Sequence, residues 1–469
     1  MSEFVVNSFD LQKCKYWALL NGIVVSNTTN DDSTVHAPFA LYPYKYPIAA
    51  FTEAQNIAPV FNSLVHKVSR DAKWLIETLD NTAKNDPFTG RMMDIFKQVL
   101  SEGERQSITL GLHRSDYMLH NVASDSRALM QVELNTIAAS FGSLSSKVAE
   151  MHRNIYHDHG MSIPPNSAHH QFADGIAEAH RMYIAQRGGA VAASVMMIVQ
   201  PGEKNVADQW LLQFALLERH GVMCVRHSLA EVEAKGHLNT EHVLSVDGQE
   251  ISVVYFRAGY TPTDYPSENE WTARQRIESS CAVKCPNIAY HLVGTKKVQQ
   301  ALASPGVLER FVSAEETFQL RRVFAGLFSL DPSDSSAEAV AQVKKSARAE
   351  PHKYVMKPQR EGGGNNLYGE DIVTALDTMS DLEMTSYIMM ERILPPSQSA
   401  VLVRRSHAVQ ATCICELGVY SVFLQGNSDS TSQPAINSYA GYLLRVKAET
   451  ENEGGVATGY SVLGSIDLS

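Results

Sequence analysis

Cysteine is scarce in this chain, with six among 469 residues, at positions 14, 224, 281, 285, 413 and 415. They form no CxxC clusters followed by Cys or His at zinc-finger spacing, which excludes that class of metal site. A chain of this length needs no disulfide staples, so reduced thiols are expected. The opening stretch MSEFVVNSFDLQKCKYW has no basic segment followed by an apolar one. No signal peptide is therefore expected, and the expected location is cytoplasmic. Long apolar runs are missing too. The longest, around 190–199, falls short of the roughly 20 residues that span a bilayer, so no membrane partner is expected. Positive charge is in deficit: 40 Lys and Arg face 51 Asp and Glu, a net charge of -11. That balance excludes general nucleic-acid affinity, because no surplus of cations exists to neutralise a phosphate backbone. A small anionic ligand needs only a few well-placed cations and is not excluded.

Several catalytic signatures are also missing. No GKS or GKT follows a glycine loop, so there is no Walker A motif. No HRD or DFG set marks a protein kinase, and no GxSxG elbow marks a hydrolase. No GxGxxG follows a strand, which removes the dinucleotide-binding reading. The 17 histidines lack an HExxH context and read as structural or surface residues. The alternating Cys413 and Cys415 read as core.

What is present is an ordinary globular composition, 44% hydrophobic and 19% charged, long enough for about two or three domains. The first third reads as mostly helical. Phe61, Leu64, Val65, Val68, Ala72, Leu75, Ile76 and Leu79 form one apolar stripe at helical spacing. The Pro- and Tyr-rich segments 36–47 and 259–271 read as ordered loops. The segment 330–342 reads as a surface loop leading into a helix, and 426–438 as the best candidate for a mobile loop. From about 191 strands alternate with helices: ASVMMIVQ, then QWLLQFALLERHG closed by Gly221, then VMCVRHS and EISVVYFR. This alternation predicts a small α/β unit with a parallel sheet. The last 120 or so residues are rich in strands, such as YVMK, SYIMMERI and AVQATCICELGVYSVFLQ.

The strongest local signal is KYVMKPQREGGGNNLYGED, at 353–371. A short strand runs through Lys357 into Gly362, Gly363 and Gly364, and a helix pattern starts near Glu370. Glycines let backbone amides approach a polyphosphate without Cβ obstruction. Lys357 supplies charge, and Glu361 is placed to hold a metal. A second signal is MQVELNTIAASFGSL, at 130–144. Side chains two apart on a strand share a face, so Glu133 and Asn135 project together. A carboxylate beside an amide suits magnesium, which takes one or two protein carboxylates and fills its remaining positions with phosphate and water. From spacing alone, the solvated face of an edge strand explains the same pattern more simply. A third signal is cations beside strand ends: Arg114, Arg257, Lys296, Arg445 and Lys447. Arginine's planar fork suits carboxylates and phosphates, and lysine acts as a point charge.

Together these segments resemble eukaryotic glutathione synthetases. The similarity runs in order through APFALYP (37–43), RSDYM (114–118), QVELNTIAASFG (131–142), FRAGY (256–260), KCPNIAYHLVGTKKVQQ (284–300), YVMKPQREGGGNNLYGE (354–370), YIMMERI (387–393), CELG (415–418), LLRVKA (443–448) and GGVATG (454–459). The resemblance implies an α/β ATP-grasp fold with a glycine-rich lid and an inserted substrate domain. It divides the chain into 1–190, an inserted 191–295, and 296–469. The lid falls at about 340–405, and a second glycine-rich loop at about 450–460. It implies a homodimer and a magnesium-dependent ligase, with a pair of metal ions in each active site. That ligase joins γ-glutamylcysteine to glycine through an acyl phosphate and consumes ATP.

The resemblance carries over site residues as well. Glu133, Asn135 and Glu361 become magnesium ligands. Lys296 and Lys357 become the lysines on the ATP phosphates, and with Arg114 the catalytic cations. Gly362, Gly363, Asn366, Tyr368, Glu416 and Lys447 become nucleotide contacts, and Met390, Glu391, Arg392 and Ile393 the stretch that reads adenine. Arg114, Ser140, Glu203, Asn205, Gln209, Arg257 and Tyr260 become the peptide pocket. Arg445 holds a substrate carboxylate, and Val456 and Ala457 close over it. Departures from the family pattern are Glu453 in place of Asp, Met356 in place of Leu and Ser143 in place of Gly. The tract 426–438 is also longer and more polar than usual. Two other readings remain: a sister ligase with another acceptor amine such as β-alanine, and a catalytically silent ATP-binding regulator. A redox role has no CxxC to support it.

Overall fold

The computed structural model describes residues 7–27, 33–121, 127–189, 191–359, 365–426 and 433–469. Glu361 and Gly362 to Gly364, together with 427–432 of the tract expected to be mobile, lie outside the described residues. Four elements lead up to the site. Helix α1 (Ile48–Arg70) and helix α2 (Ala72–Asn85) are followed by strands β1 (Thr109–Asn121) and β2 (Arg127–Asn135).

The apolar stripe of the first third belongs to two helices, not one. Asp71 ends α1 and caps α2, accepting the amide of Trp74 at 3.0 Å. Phe51, Phe61, Leu64, Val65 and Val68 on α1 are buried. Phe51 meets Tyr442 edge-on at 5.5 Å, and Phe61 lies 6.5 Å from Tyr117. Each such ring contributes about 1.5–3 kcal/mol by leaving water.

After β2 come helix α3 (Gly142–Ile155), strand β3 (Ala193–Ile198), helix α4 (Val206–His220) and strand β4 (Gln249–Phe256). The second half supplies β5 (Tyr354–Pro358), β6 (Tyr387–Glu391), β7 (His407–Gln425) and β8 (Ile436–Ala448). Ile436–Ser438, inside the tract read as a mobile loop, is thus the start of a strand.

Among the described residues the main sheet has the order Gln398–Arg404, Phe39–Ala40, Val462–Gly464, β8, β7, β1, β2. Strand β7 is shared. Its first part pairs with Gln398–Arg404, which closes a ring, and its last part pairs with β1. Strand β2 is left at the edge. The 36–47 segment, read as a loop, contributes Phe39–Ala40 to this sheet. The 259–271 loop ends at Ser267, where a capping box starts the helix Glu268–Glu278. The surface segment near 330 leads, as expected, into the helix Ala337–Ala349.

The 193–285 region has the expected parallel sheet and extends it with antiparallel strands. Strand β3 pairs in parallel with Cys224–His227 and with β4, and β4 with Val283–Cys285. Leu244–Val246 and Gly236–Leu238 then add antiparallel strands. The reason is Asp247-Gly248, with φ of 50° and 79°, a two-residue hairpin turn of the type that Asp-Gly favours. Helix α4 ends at Gly221 in the left-handed region, φ 67°, as read from the sequence. A third, antiparallel sheet has the order Leu327–Ser329, β6, β5, Leu367–Tyr368. No helix among the described residues is long and apolar enough to cross a membrane.

Candidate active site

One cavity of about 930 Å³ lies where the three sheets approach one another. Its floor is one face of β8, β7, β1 and β2. In register, Arg445 on β8 stands opposite Glu416 on β7, and Gly418 opposite Asp116 on β1. Asp116 stands opposite Glu133 on β2, and Arg114 opposite Asn135. The period of two along each strand therefore sets a row of charged side chains on the cavity side.

Glu133 and Asn135 do lie on an edge strand, but its face is covered. Nζ of Lys296 bonds Oε2 of Glu133 at 2.8 Å, and Nζ of Lys357 bonds the carbonyl of Val132 at 2.9 Å. Burial would raise the Glu133 carboxyl, but Lys296 and Lys357 outweigh it and hold the group below the usual carboxylate range. Burial lowers Lys357 to about 8; Glu133 pushes it back up and Lys296 pushes it further down.

Arg114 is gripped by Asp116 through Nε at 2.7 Å and Nη2 at 2.9 Å, and its Nη1 reaches the Ser140 carbonyl at 3.4 Å. Burial opposes its charge, but Asp116 overrides that and raises its pKa. Arg445 bonds Asp116 at 2.9 Å and also bonds Glu416. The carboxyl of Glu416 is raised, first by burial and also by Asp116, against the pull of Arg445 and Lys447. Nζ of Lys447 is held by the carbonyls of Asn452 and Glu453, at 2.7 and 3.0 Å.

The opposite wall is the third sheet. The end of β6, Met390 and Glu391, with Arg392 and Ile393 beyond it, borders the cavity beside Lys357 of β5. Asn366 reaches Tyr368 at 3.3 Å and Glu453 at 3.4 Å, which joins this wall to the loop carrying Val456 and Ala457. Arg392 lies over the Tyr368 ring at 5.7 Å and bonds Asn452 at 2.9 Å.

The far end is built by the loop after β2 and by the 193–285 sheet. Asp208 on α4 accepts the amides of Phe141, Ser143 and Leu144 at 2.8, 2.9 and 3.1 Å, so it caps α3 from another element. Arg257 approaches the same carboxylate at 3.9 Å and bonds the Ala138 carbonyl at 3.5 Å. Asp264 accepts the amides of Gly259, Tyr260 and Thr261 and so fixes the Tyr260 loop. Asn205 is buried, and neither polar atom of its side chain has a partner among the described residues. An amide with four unmet hydrogen bonds in a cavity wall is poised for a polar ligand.

The described candidates named from the sequence all border this cavity, with one exception. Gln209 lies behind the wall, its Nε2 3.4 Å from Glu203 and its Oε1 on Arg226. It stands four residues beyond Asn205 on the same side of α4, displaced by about 6 Å along the helix axis, with Glu203 between it and the cavity. Sequence reasoning missed Asp116, Gly418, Asp208 and Asp264. The alternation argument that paired Glu133 with Asn135 applies equally to Arg114 and Asp116. For Asp208 no local signal exists, because the amides it accepts are more than 60 residues away.

The donor set fits a hard divalent cation. Oε1 of Glu133 has only a long contact, 3.4 Å to Asn135 Nδ2, and stands between Asn135 and Lys296. One carboxylate and one amide are what magnesium asks of a protein when phosphate oxygens complete its shell. Among the described residues no group of three or more His, Cys, Asp or Glu forms a closed cage, an arrangement magnesium seldom uses.

The family model described as eukaryotic glutathione synthase, ATP binding domain, matches residues 8–468. The chain belongs to that family. It is 43% identical over 470 residues to the chloroplastic glutathione synthetase of Arabidopsis thaliana, which covers 96% of this chain and 84% of that one. It is 42% identical over 458 residues to the human glutathione synthetase, covering 95% and 94%. Among solved structures, a glutathione synthetase-like effector from Globodera pallida in its apo form superposes with a TM-score of 0.78 at 21% identity. That match covers 98% of this chain and 96% of the other. The fold is therefore α/β of the ATP-grasp type. In this glutathione synthase fold the cavity lies between the antiparallel sheet carrying Lys357 and the floor carrying Glu133.

Proposed function

We propose that this chain is an ATP-dependent glutathione synthetase, ligating γ-glutamylcysteine to glycine through an acyl phosphate. The observation that carries this reading is the cavity, where Arg114, Lys296, Lys357, Arg445 and Lys447 surround Asp116, Glu133 and Glu416. Such a cluster is costly without a polyanion to bind. Family membership and 41–43% identity to glutathione synthetases over nearly the full length support the same conclusion.

In this reading 1–190 and 296–469 form the ATP-grasp core and 191–295 the inserted substrate domain. ATP lies with its base against 390–393 and its phosphates on Lys296 and Lys357. Asn366, Tyr368, Glu416 and Lys447 complete the nucleotide site, with Gly362 and Gly363 as lid. Glu133 and Asn135, joined by Glu361, hold magnesium ions, a pair in each site. When bound, such ions would neutralise phosphate charge. Glu203, Asn205, Arg257 and Tyr260 hold the γ-glutamyl end of the dipeptide, with Gln209 supporting Glu203. Arg445 holds a substrate carboxylate near Ser140.

The dipeptide's terminal carboxylate attacks the γ-phosphate and ADP departs. Arg114 stabilises the charge on the transferring group and then on the tetrahedral centre formed when glycine's amine attacks; that centre collapses to the amide as its C–O bond to phosphate breaks and inorganic phosphate leaves. Val456 and Ala457 lie in the loop that closes over the acyl phosphate and keeps water from it. No covalent enzyme intermediate arises, so no nucleophilic triad is required. The family resemblance supports a homodimer.

The test is ADP release by purified protein with ATP, magnesium and γ-glutamylcysteine, comparing glycine, β-alanine and no acceptor. Glycine-dependent release with tripeptide formed is expected. Preference for β-alanine would move the assignment to a sister ligase. Silence with every acceptor, from protein that binds ATP, would leave a regulator.

A further inference from the structure

A single carboxylate gathers the guanidinium groups of the floor. Asp116 is wholly buried on the cavity-side face of β1, the face that carries Arg114. Its Oδ1 accepts Nε of Arg114 at 2.7 Å. Its Oδ2 accepts three donors: Nη2 of Arg114 at 2.9 Å, Nη2 of Arg445 at 2.9 Å and Nδ2 of Asn135 at 3.0 Å. Strands β1, β2 and β8 thus converge on one oxygen atom.

Two buried guanidinium groups repel each other strongly in a low dielectric. A carboxylate between them reverses the sign of that interaction. A bidentate grip also fixes the plane of a guanidinium, and a monodentate contact does not. Arg114 is therefore held in orientation as well as in position. Its Nη1 makes only the long 3.4 Å bond to Ser140, so donors remain on that side of the fork. On Arg445, Nε is buried with no partner among the described residues.

The neighbouring strand makes room for this arrangement. Gly418 on β7 stands in register with Asp116. A Cβ at Gly418 would lie 2.8 Å from Oδ1 of Asp116 and 2.9 Å from Cδ of Arg114. Both atoms belong to a pair held on several sides, so neither can step away freely.

We propose that Asp116 is a positioning residue for the ligase reaction, orienting Arg114 and Arg445 as a paired guanidinium clamp for substrate carboxylate and phosphoryl oxygens. Both Asp116 oxygens are occupied by protein donors, so it acts through the arginines and touches no substrate. The proposal rests on the ligase reading of this site.

The experiment compares Asp116→Asn, Asp116→Glu and Gly418→Ala with the wild type. Two quantities are measured: the dissociation constant of ATP with magnesium by calorimetry, and kcat and KM for γ-glutamylcysteine from glycine-dependent ADP release. Asp116→Asn is expected to keep ATP affinity within about threefold while kcat falls about 100-fold and KM for the dipeptide rises about tenfold. Asp116→Glu restores the charge and is expected to recover about a tenth or more of the lost turnover. Gly418→Ala moves the pair and leaves every charge in place, and is expected to lower kcat about tenfold with ATP affinity kept.

Asp116→Asn that binds ATP and turns over within about threefold of the wild type overturns the proposal. So does Asp116→Glu that is no better than Asp116→Asn. Should Asp116→Asn fail to fold, Gly418→Ala decides, and wild-type turnover there overturns the clamp. A wild type without glycine-dependent ADP release overturns the ligase reading and this proposal together.

Discussion

Nζ of Lys357 bonds the main-chain carbonyl of Val132 at 2.9 Å, which fastens the antiparallel sheet to the edge strand of the main sheet. An edge strand offers unpaired carbonyls, and here one is taken by a cation instead of by another strand. The same contact draws the ammonium group out of water.

That desolvation gives Lys357 a pKa of about 8, well below the ordinary 10.5. It loses its proton as pH rises through about 8, and with it the attraction for phosphate. ATP affinity is therefore expected to fall between pH 7 and pH 9, by several-fold for a single lost charge. Folding responds in the opposite sense. Between about 8 and 10.5 the unfolded chain binds more protons at this site, so this group's contribution to stability rises with pH there. Calorimetric titration of ATP across this range checks the first effect, and Lys357→Arg is expected to flatten it. A flat profile in the wild type would mean that Lys357 does not contact the nucleotide.

Glu133 offsets part of the charge of Lys296 and Lys357. Glu133→Gln keeps the shape and removes the charge. Half-saturation by magnesium is expected to shift about tenfold upward, with turnover down about 100- to 1,000-fold. Magnesium titration of ADP release is the measurement. An unchanged magnesium requirement would take Glu133 out of the metal site.

Arg114→Lys keeps a positive charge but loses the fork that meets Asp116 in two bonds. Turnover is expected to fall about 100-fold, nearly as far as in Arg114→Ala, because geometry and not charge alone is lost. Circular dichroism and ATP binding should stay normal in both. Near-wild-type turnover in Arg114→Lys would show that a point charge suffices.

Asp208→Asn removes an anionic acceptor from three buried amides and from Arg257. A loss of about 1–3 kcal/mol is expected, read as a lower midpoint in a thermal melt. An unchanged midpoint would mean that the amides find other partners.

Strand periodicity alone makes Glu133 and Asn135 legible as neighbours on one face. It does not say what covers that face, because Lys296 follows Glu133 by 163 residues and Lys357 follows Val132 by 225. The apolar stripe from Phe61 to Leu79 marks the right buried residues but hides the break at Asp71, since side-chain periodicity continues across a one-residue cap. The β3 to α4 alternation is legible, and so is its stop at Gly221. The antiparallel additions turn on the Asp247-Gly248 dipeptide, a short-range signal that the apolar pattern outweighs. Asp116 lies within a segment that draws notice for its arginine alone. Gln209 is carried over with its neighbours as a pocket residue and lies one layer behind them.

The cap that Asp208 places on α3 bears on how this protein can be cut and recombined. A foreign 191–295 segment with the same strand order would graft poorly unless its first helix carried an acid as its third residue, as α4 does. Without that acid, three amides at the far end of the cavity would have no acceptor, and the start of α3 would loosen. Segment 141–144 and α4 meet through a hydrogen-bonded helix end, so a crossover that exchanges α4 must take 141–144 along with it.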